Sequence, residues 1–313
     1  MLAYNNLTTK GNVETSSTTT TTATAVSGTY SFNAQATDNV AVYYGQTPDT
    51  QAGGLLTLCQ NTNVDIAILA FVYDFFGTSG SGYPSGEFGP ACFASQSPEA
   101  PNLANCSALG HEITACQQLG KKVLVSLGGA NGNSNLNSNT DAAQFASTLW
   151  NLFGAGTNLS ALRPFGANVV IDGFDIDNEN HNPAYYDTLA TSLRQQFVQD
   201  TGRTYYISAA PQCPMPDAST PPALMYAADF VWVQFYNNPP CELGSPGFLS
   251  SFASWSANLT LGSTTPGMPR LFIGAPGAPA GAGSGYVSGA NLTEIVHEVL
   301  TLDLGDLGGI MLW

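Results

Sequence analysis

The residues best suited to chemistry form an acid cluster in the stretch VVIDGFDIDNEN, at residues 169–180. The cluster contains Asp172, Asp175, Asp177 and Glu179 and directly follows an apolar, β-branched run. Carboxylates that lie close together cannot all ionise, so they share protons and at least one pKa rises. A carboxyl group that keeps its proton near working pH can donate it to a leaving group. The cluster therefore predicts acid-assisted bond cleavage.

The spacing of the acids predicts that they share one face of a strand, because side chains on a strand alternate between its two faces. Phe174 and Ile176 are large and apolar, so their face is expected to contact a helix layer. Asp175, Asp177 and Glu179 then point to the opposite face. In a parallel barrel that face is the interior, and active sites lie at the C-terminal ends of the strands. We expect Glu179 nearest the mouth as proton donor, Asp177 as acceptor from a polar substrate group, and Asp175 behind it with a shared proton.

Other interpretations of the acid cluster concern metals and solvent. A calcium loop that begins at Asp175 requires Gly at its sixth position and Glu at its twelfth, but these positions hold Asn180 and Tyr186. A magnesium site and a solvated acidic turn stay open, although the strand-like residues between the acids disfavour the turn. No Cys/His cluster indicates zinc, and we expect neither a metal nor a cofactor.

The elements that must position the cluster alternate along the chain. Eight strand candidates cover residues 39–45, 65–73, 122–129, 168–177, 204–211, 230–237, 270–276 and 309–313. Their nearly continuous apolar character is typical of parallel strands. After the fourth candidate, Asn182, Pro183 and Gly202 predict the start and end of a helix. This alternation predicts a (β/α)8 TIM barrel. A doubly wound open sheet is the alternative, but YYGQTPDT after the first strand is not the expected Gly-rich phosphate turn.

Composition restricts the partners and the domains of this chain. It has 313 residues, 43% of them apolar and only 9% charged, and 22 acids against 7 bases leave a net charge of −15. This charge disfavours nucleic acids and anionic membranes as partners and favours a neutral or cationic substrate. No run approaches the roughly 18 apolar residues of a membrane span.

The Ser/Thr-rich residues 1–38 are expected to be disordered, and residues 39–313 to form one catalytic domain.

Cysteines and sequons indicate an extracellular location. The six cysteines include no CxxC pair, so three disulfides are expected, with six free buried thiols in a cytosolic protein as the alternative. Five Asn-x-Ser/Thr sequons, at Asn6, Asn105, Asn158, Asn258 and Asn291, also suit secretion. The N-terminal MLAYNNLTTKGN does not have the pattern of a signal peptide.

The acid cluster matches the DxxDxDxE signature of glycoside hydrolase family 18, and the chain resembles the class III chitinases of plants and fungi. Further motifs match in order and spacing: SLGG (126–129), AAPQCP (209–214), VWVQFYNNPPC (231–241), GSGYV (283–287) and GGIMLW (308–313). The resemblance covers the chain after residue 39. It implies hydrolysis of β-1,4 linkages in chitin or N-acetylglucosamine oligomers by an endochitinase. A monomer without a cofactor is expected by default.

The resemblance also implies a substrate-assisted, retaining mechanism. Glu179 protonates the glycosidic oxygen, and the substrate's own acetamido carbonyl attacks the anomeric carbon to give an oxazolinium ion. Asp177 orients the acetamido group, with Asp175 behind it, and Tyr236 donates its hydroxyl to the acetamido oxygen. Substrate contacts are expected from Tyr43, Gln46, Phe71, Gly129, Gln234, Asn237 and Trp313, and structural support from Asp172, Ser126 and Gly128. The implied disulfides are Cys59–Cys116, Cys92–Cys106 and Cys213–Cys241.

The chain departs from the family pattern at several places. Asn178 replaces an apolar residue between the last Asp and Glu, and Tyr44 stands where tryptophan is common. The Gly/Ser-rich segment from Phe75 to Cys92 is expected to change the rim of the cleft. The chain stops at Trp313, so the family's final helix is expected to be absent.

Two further functions are compatible with the same signature. The first is a catalytically weak or dead chitin-binding lectin or inhibitor on the same barrel. Such proteins commonly lose the terminal Glu or an inner Asp of the signature, and both remain here. The second is an endo-β-N-acetylglucosaminidase acting on N-glycans, against which the match around QFYNNPPC argues.

Overall fold

A computed structural model of the chain describes residues 30–47, 53–77, 82–95, 97–263 and 269–313. Its strands are β1 (Asn39–Tyr44), β2 (Ile66–Asp74), β3 (Ser85–Gly86), β4 (Lys122–Gly128), β5 (Gly173–Asp177), β6 (Tyr206–Ala209), β7 (Phe230–Gln234), β8 (Arg270–Ala275) and β9 (Leu307–Leu312). All except β3 are parallel neighbours in one sheet. Because β1 pairs with both β2 and β9, the sheet closes on itself. The predicted (β/α)8 barrel is confirmed.

The helices surround the barrel and connect its strands. They are α1 (Leu55–Gln60), α2 (Ser107–Gln118), α3 (Asn139–Leu152), α4 (Tyr186–Phe197), α5 (Pro222–Ala227), α6 (Phe248–Gly262) and α7 (Gly289–Leu300). The short β3 is an addition to the barrel and pairs antiparallel with the end of β2. No helix among the described residues is long and apolar enough to span a membrane.

Two predicted elements around the acid cluster have different boundaries in the structure. The fourth strand candidate begins at Gly173 rather than residue 168, because the Val169 and Ile171 N–H groups donate to Gly166 and Phe153 instead of a neighbouring strand. The following helix begins at Tyr186 and ends at Phe197, inside the predicted limits. Tyr185 has a φ of 67°, which is incompatible with a helix that starts at Pro183.

The core has two layers, one on each side of the barrel wall. The interior layer contains Ile66, Leu124, Phe230, Trp232 and Met311, with further small and aromatic side chains. The larger layer lies between the strands and the helices. Phe174 and Ile176 belong to this outer layer, as the alternation of the strand predicts. Their neighbours Asp175 and Asp177 consequently point into the barrel.

Residues 30–38 contact the floor of the barrel, opposite the mouth. The Tyr30 hydroxyl donates to Asp65 over 2.5 Å, and the Phe32 ring packs edge-on against Phe230 at 6.2 Å. Disorder is also expected for residues 1–29, which lie outside the described residues. The domain boundary at residue 38 stays a prediction.

Three disulfides join Cys59 to Cys116, Cys92 to Cys106 and Cys213 to Cys241, as the family resemblance implies. The first connects α1 to α2, the second closes a rim loop, and the third links the loops that follow β6 and β7. The alternative of six free thiols is therefore wrong.

Candidate active site

Asp175 is the innermost acid of the cluster and is completely buried in the barrel. Its two carboxylate oxygens accept four hydrogen bonds, from the Tyr43 hydroxyl (2.7 Å), the Ser126 hydroxyl (2.6 Å), the Ser208 hydroxyl (2.8 Å) and the Trp232 indole N–H (3.0 Å). Burial raises the pKa of Asp175, whereas the four donors oppose that rise. Because these donors come from β1, β4, β6 and β7, they fix the carboxyl group across the interior of the barrel.

Asp177 is the middle acid and is 5% exposed. Its Oδ1 accepts a hydrogen bond from Gln234 Nε2 over 2.9 Å, and Gln234 also donates to the Ala210 carbonyl over 2.9 Å. Burial raises the pKa of Asp177 well above its usual range, and the nearby carboxylates of Glu179 and Asp175 raise it further. Like charges at this depth disfavour ionisation of the whole row, so protons are shared among the acids.

Glu179 is the outermost acid and is partly exposed at the mouth of the barrel. Its Oε2 accepts a hydrogen bond from Gln212 Nε2 over 3.4 Å. Partial burial raises the pKa of Glu179; the Gln212 hydrogen bond lowers it and the Asp217 carboxylate raises it. A raised pKa favours the protonated form of Glu179, as a general acid requires.

The residues that hold Gln212 in place were missed in the sequence. The Gln212 backbone N–H donates to Asp217 Oδ2 over 3.1 Å, and Gln212 Oε1 accepts from Asn238 Nδ2 over 3.0 Å. Gln212 lies in the AAPQCP motif, so this motif could have indicated that Gln212 belongs to the site. Asp217 lies outside any quoted motif, and only the loop after β6 brings it to Glu179.

Tyr236 lies at the end of β7 and is 6% exposed. Burial raises the pKa of its hydroxyl well above the usual value, and the carboxylates of Asp177, Glu179 and Asp175 add to the effect. The hydroxyl therefore stays protonated and can donate a hydrogen bond. Gly285, with φ at +82°, approaches this residue so closely that a Cβ would lie 2.7 Å from the Tyr236 Cα. This contact explains the glycine of the GSGYV motif.

Three aromatic rings form one wall of the site. The Tyr43 and Trp313 ring centroids lie 5.3 Å apart, those of Phe71 and Trp313 5.8 Å apart, and those of Tyr43 and Phe71 6.0 Å apart. They come from the ends of β1, β2 and β9, which are adjacent in the closed sheet. An apolar wall of this kind suits the face of a sugar ring.

The acids, Tyr236 and the aromatic wall surround one cleft of about 440 Å³. Every residue for which a substrate contact was predicted lines it: Tyr43, Gln46, Phe71, Gly129, Gln234, Asn237 and Trp313. Asp177, Glu179 and Tyr236 line the same cleft, and Asp175 lies behind them. Sequence analysis missed Tyr73, Glu87, Asn131 and several small residues of the lining. The roles of all these residues in catalysis and binding stay predictions.

The remaining predicted residues lie outside the cleft or form its wall. Asp172 faces the helix layer, where its Oδ2 accepts hydrogen bonds from Gln117 Nε2 and the Val123 N–H, each over 2.9 Å. Ser126 lies inside the barrel against Asp175. Gly128 has a φ of +115°, and a Cβ there would lie 2.2 Å from the Asp177 carbonyl oxygen. Close packing of β4 on β5 therefore requires glycine at position 128.

Asn178, the departure from the family pattern, holds loops together beneath Glu179. It is buried, and its Nδ2 donates to the Ser219 carbonyl over 2.7 Å and to the Asn182 carbonyl over 3.0 Å. Its Oδ1 accepts from the Ser134 hydroxyl over 3.3 Å. A buried amide with these partners is satisfied, so it replaces an apolar side chain without leaving an unpaired polar group.

No group of three or more His, Cys, Asp or Glu side chains in the described ranges is arranged to hold a metal ion. The four donors around Asp175 are hydroxyl and indole groups, which present hydrogen atoms to the carboxylate. Hydrogen-bond donors of this kind occupy the positions that a magnesium ion needs, so the arrangement does not favour the magnesium alternative.

Comparison with known proteins gives consistent matches. The family "Glycosyl hydrolases family 18" matches residues 39–266. Endochitinase 3 from Metarhizium anisopliae is 39% identical over 279 residues, which cover 88% of this chain and 90% of the relative. The crystal structure of a chitinase from Ipomoea carnea has a TM-score of 0.74 at 35% identity, with 88% of this chain and 94% of the other covered. A xylanase and alpha-amylase inhibitor protein from Scadoxus multiflorus has a TM-score of 0.71 at 32% identity, with 89% and 93% covered. These matches confirm the resemblance that the motifs indicate.

Proposed function

Because the chain belongs to family 18 of the glycosyl hydrolases, we propose that it is an endochitinase that hydrolyses β-1,4 linkages between N-acetylglucosamine units. The observation that carries this proposal is the acid row. Asp175, Asp177 and Glu179 run from the closed interior to the open cleft, and only Glu179 combines a raised pKa with partial exposure. A neutral polysaccharide is compatible with a protein of net charge −15.

Catalysis begins with a proton transfer from Glu179 to the glycosidic oxygen as the bond from that oxygen to the anomeric carbon breaks. The acetamido carbonyl oxygen of the same sugar attacks the anomeric carbon and forms an oxazolinium ion. Asp177 accepts a hydrogen bond from the acetamido N–H and stabilises the positive charge. The Tyr236 hydroxyl donates to the acetamido oxygen. Its buried, protonated state supports this role.

Water completes the reaction. The Glu179 carboxylate takes a proton from a water molecule, whose oxygen attacks the anomeric carbon and opens the oxazolinium ring. Two displacements at one carbon retain the β configuration. A single general acid suffices, because the nucleophile belongs to the substrate. The three rings of Tyr43, Phe71 and Trp313 support this scheme, since they offer an apolar surface for the sugar at the cleavage point.

Replacement of the general acid tests the proposal. Glu179→Gln keeps the size and the hydrogen-bonding capacity of the side chain but removes the proton donor. We expect hydrolysis of chitin hexamers to fall on the order of 10²–10⁴-fold, while calorimetry shows binding close to that of the wild type. NMR of the wild-type products should show the β-anomer first. Undiminished turnover in the variant, or early α-anomer, would contradict the mechanism.

A non-catalytic inhibitor or lectin is the second candidate, favoured by the likeness to the Scadoxus multiflorus inhibitor protein. Retention of Glu179 with its partner Gln212 argues for the enzyme. The two functions give different results in one assay: an inhibitor or lectin binds chitin oligomers and releases no reducing ends. An endo-β-N-acetylglucosaminidase would instead release glycans from N-glycoproteins and leave chitin oligomers uncut.

An extracellular location remains part of the proposal. The three disulfides support it, because disulfides persist in oxidising compartments. Asn158 and Asn291, each within a sequon, are exposed and accessible to glycosylation. Secretion into the medium of an expressing host, with mass that falls after enzymatic deglycosylation, is the expected result. A monomer that binds neither nucleic acid nor membrane also remains a prediction.

A further inference from the structure

A second cavity, of about 240 Å³, continues the active-site cleft beside β2 and β3. The two cavities share Tyr73 and Glu87, whereas Asp177 and Glu179 line only the first. The second cavity is therefore an extension of the cleft away from the point of cleavage. A polysaccharide long enough to pass Tyr73 and Glu87 would enter it.

Phe93 provides an aromatic surface in the second cavity. Its side chain is 65% exposed, yet its backbone is held in place. The Phe93 N–H donates to the Asn105 carbonyl over 2.8 Å, and the Asn105 N–H donates back over 2.9 Å. The Cys92–Cys106 disulfide lies directly beside this pair. An exposed ring on a constrained backbone can cover a sugar face with little loss of conformational freedom on binding.

Glu87 is fixed against the wall of the cleft by its backbone. The Phe71 N–H donates to the Glu87 carbonyl over 2.8 Å, and the Glu87 N–H donates to the Phe71 carbonyl over 3.1 Å. Its side chain is exposed to the two cavities. Partial burial raises the pKa of the Tyr73 hydroxyl, and the carboxylates of Glu87 and Asp74 raise it further. Tyr73 and Glu87 both line the two cavities, so the Glu87 carboxylate acts where the cavities meet.

No lysine or arginine within the described ranges lines either cavity. Arg194 pairs with Asp229 and Lys122 with Asp172, both on the outside of the barrel. An N-acetylglucosamine unit is neutral and gains no charge attraction from Glu87. A unit whose acetyl group has been removed carries an ammonium group at mildly acidic pH and would be attracted.

We propose that the second cavity is a sugar subsite that prefers glucosamine to N-acetylglucosamine. Glu87 pairs with the ammonium group and Phe93 lies against the sugar ring. This inference rests on the proposed function, and it makes partly deacetylated chitin the preferred polymer. An exposed ion pair of this kind should make glucosamine bind about two- to fivefold more tightly than N-acetylglucosamine in this subsite. The preference decreases as salt concentration rises, because the pair is open to solvent.

Binding of defined hexamers to the Glu179→Gln protein tests the subsite without turnover. One hexamer is fully acetylated, and two others carry a single glucosamine at one end or the other. Calorimetry should show one of the amine-bearing hexamers binding about two- to fivefold more tightly than the acetylated one. Adding Glu87→Gln should bring this ratio to about one. Adding Glu298→Gln, on the exposed surface of α7, removes the same charge elsewhere and should leave the ratio unchanged.

Equal affinities for the three hexamers, or a preference that survives Glu87→Gln, would overturn the subsite. Phe93→Ala is expected to weaken hexamer binding about two- to tenfold and to leave trimer binding intact. An equal loss for both lengths would show that Phe93 acts on the whole fold instead. Hydrolysis of the acetylated hexamer by the wild type is measured separately. If that hydrolysis fails, the proposed function fails, whereas the affinity ratio still reports on Glu87.

Discussion

Removal of the Asp217 charge should shift the pH dependence of catalysis in a known direction. Asp217 and Glu179 contact the same residue: the Gln212 backbone N–H donates to Asp217, and the Gln212 side-chain Nε2 donates to Glu179. If the two carboxylates lie on the order of 8 Å apart, an effective dielectric constant of about 20–40 gives a repulsion of about 1–2 kcal/mol between them. This energy corresponds to about one pKa unit. Because solvent enters the cleft and screens the pair, we expect the lower part of the range, about 0.5–1 unit.

The sign follows from the proposed role of Glu179 as general acid. In that role, activity is lost as pH rises through the Glu179 pKa, and the Asp217 carboxylate raises that pKa. Asp217→Asn removes the charge and keeps Oδ1 as acceptor for the Ser219 and Thr220 N–H groups, while the oxygen that accepts from the Gln212 N–H is replaced by Nδ2. The basic limb of the kcat/KM profile on chitin hexamers should therefore move to lower pH by about 0.5–1 unit.

Two further variants make this prediction refutable. Asp303→Asn removes the same charge from an exposed position and should leave the limb in place. Gln212→Met removes the hydrogen bond that lowers the Glu179 pKa, so the limb should move to higher pH. A limb that stays fixed in Asp217→Asn, or moves in the same direction in Asp217→Asn and Gln212→Met, would refute the electrostatic argument.

Three other predictions concern stability and packing. Burial raises the pKa of Asp177, so the Asp177 carboxyl binds a proton more tightly in the folded protein than in the unfolded chain. Tm should therefore rise as pH falls from about 7 to about 5, and this rise should be smaller in Asp177→Asn. Replacing both Cys213 and Cys241 by Ser opens a loop with a sequence separation of 28 and should lower the unfolding free energy by about 3–4 kcal/mol in denaturant titrations. Gly128→Ala forces a Cβ against the Asp177 carbonyl and should lower kcat more than binding affinity; unchanged kcat would contradict that contact.

The orientation of the acids on β5 could be predicted from the local sequence pattern. Strand alternation correctly predicts that Phe174 and Ile176 face the helices and that Asp175 and Asp177 face the interior. Neighbouring residues on one strand are fixed by the backbone itself, so their relative positions can be derived without tertiary information. The predicted start of this strand, at residue 168, was wrong, because a strand begins where its backbone finds a partner in a neighbouring strand, and local pattern does not specify that partner. Val169 and Ile171 have strand-like side chains, but their backbone N–H groups donate to Gly166 and Phe153, which lie outside the neighbouring strands.

The sequence by itself predicted the barrel and the shared inward face of Asp175 and Asp177 on β5, because both depend on the short-range periodicity of strands and helices. Only the tertiary structure decided which groups meet across the mouth. Gln212 reaches Glu179 from the loop after β6. Glu87 lies beside Phe71 because the backbones of these two residues exchange hydrogen bonds. These contacts join segments far apart in the chain, and no local pattern specifies them. They set the pKa of Glu179, the proposed proton donor, and place the Glu87 carboxylate in the cleft. The proposed chemistry therefore follows from the sequence, whereas the electrostatic environment of the acids follows from the fold.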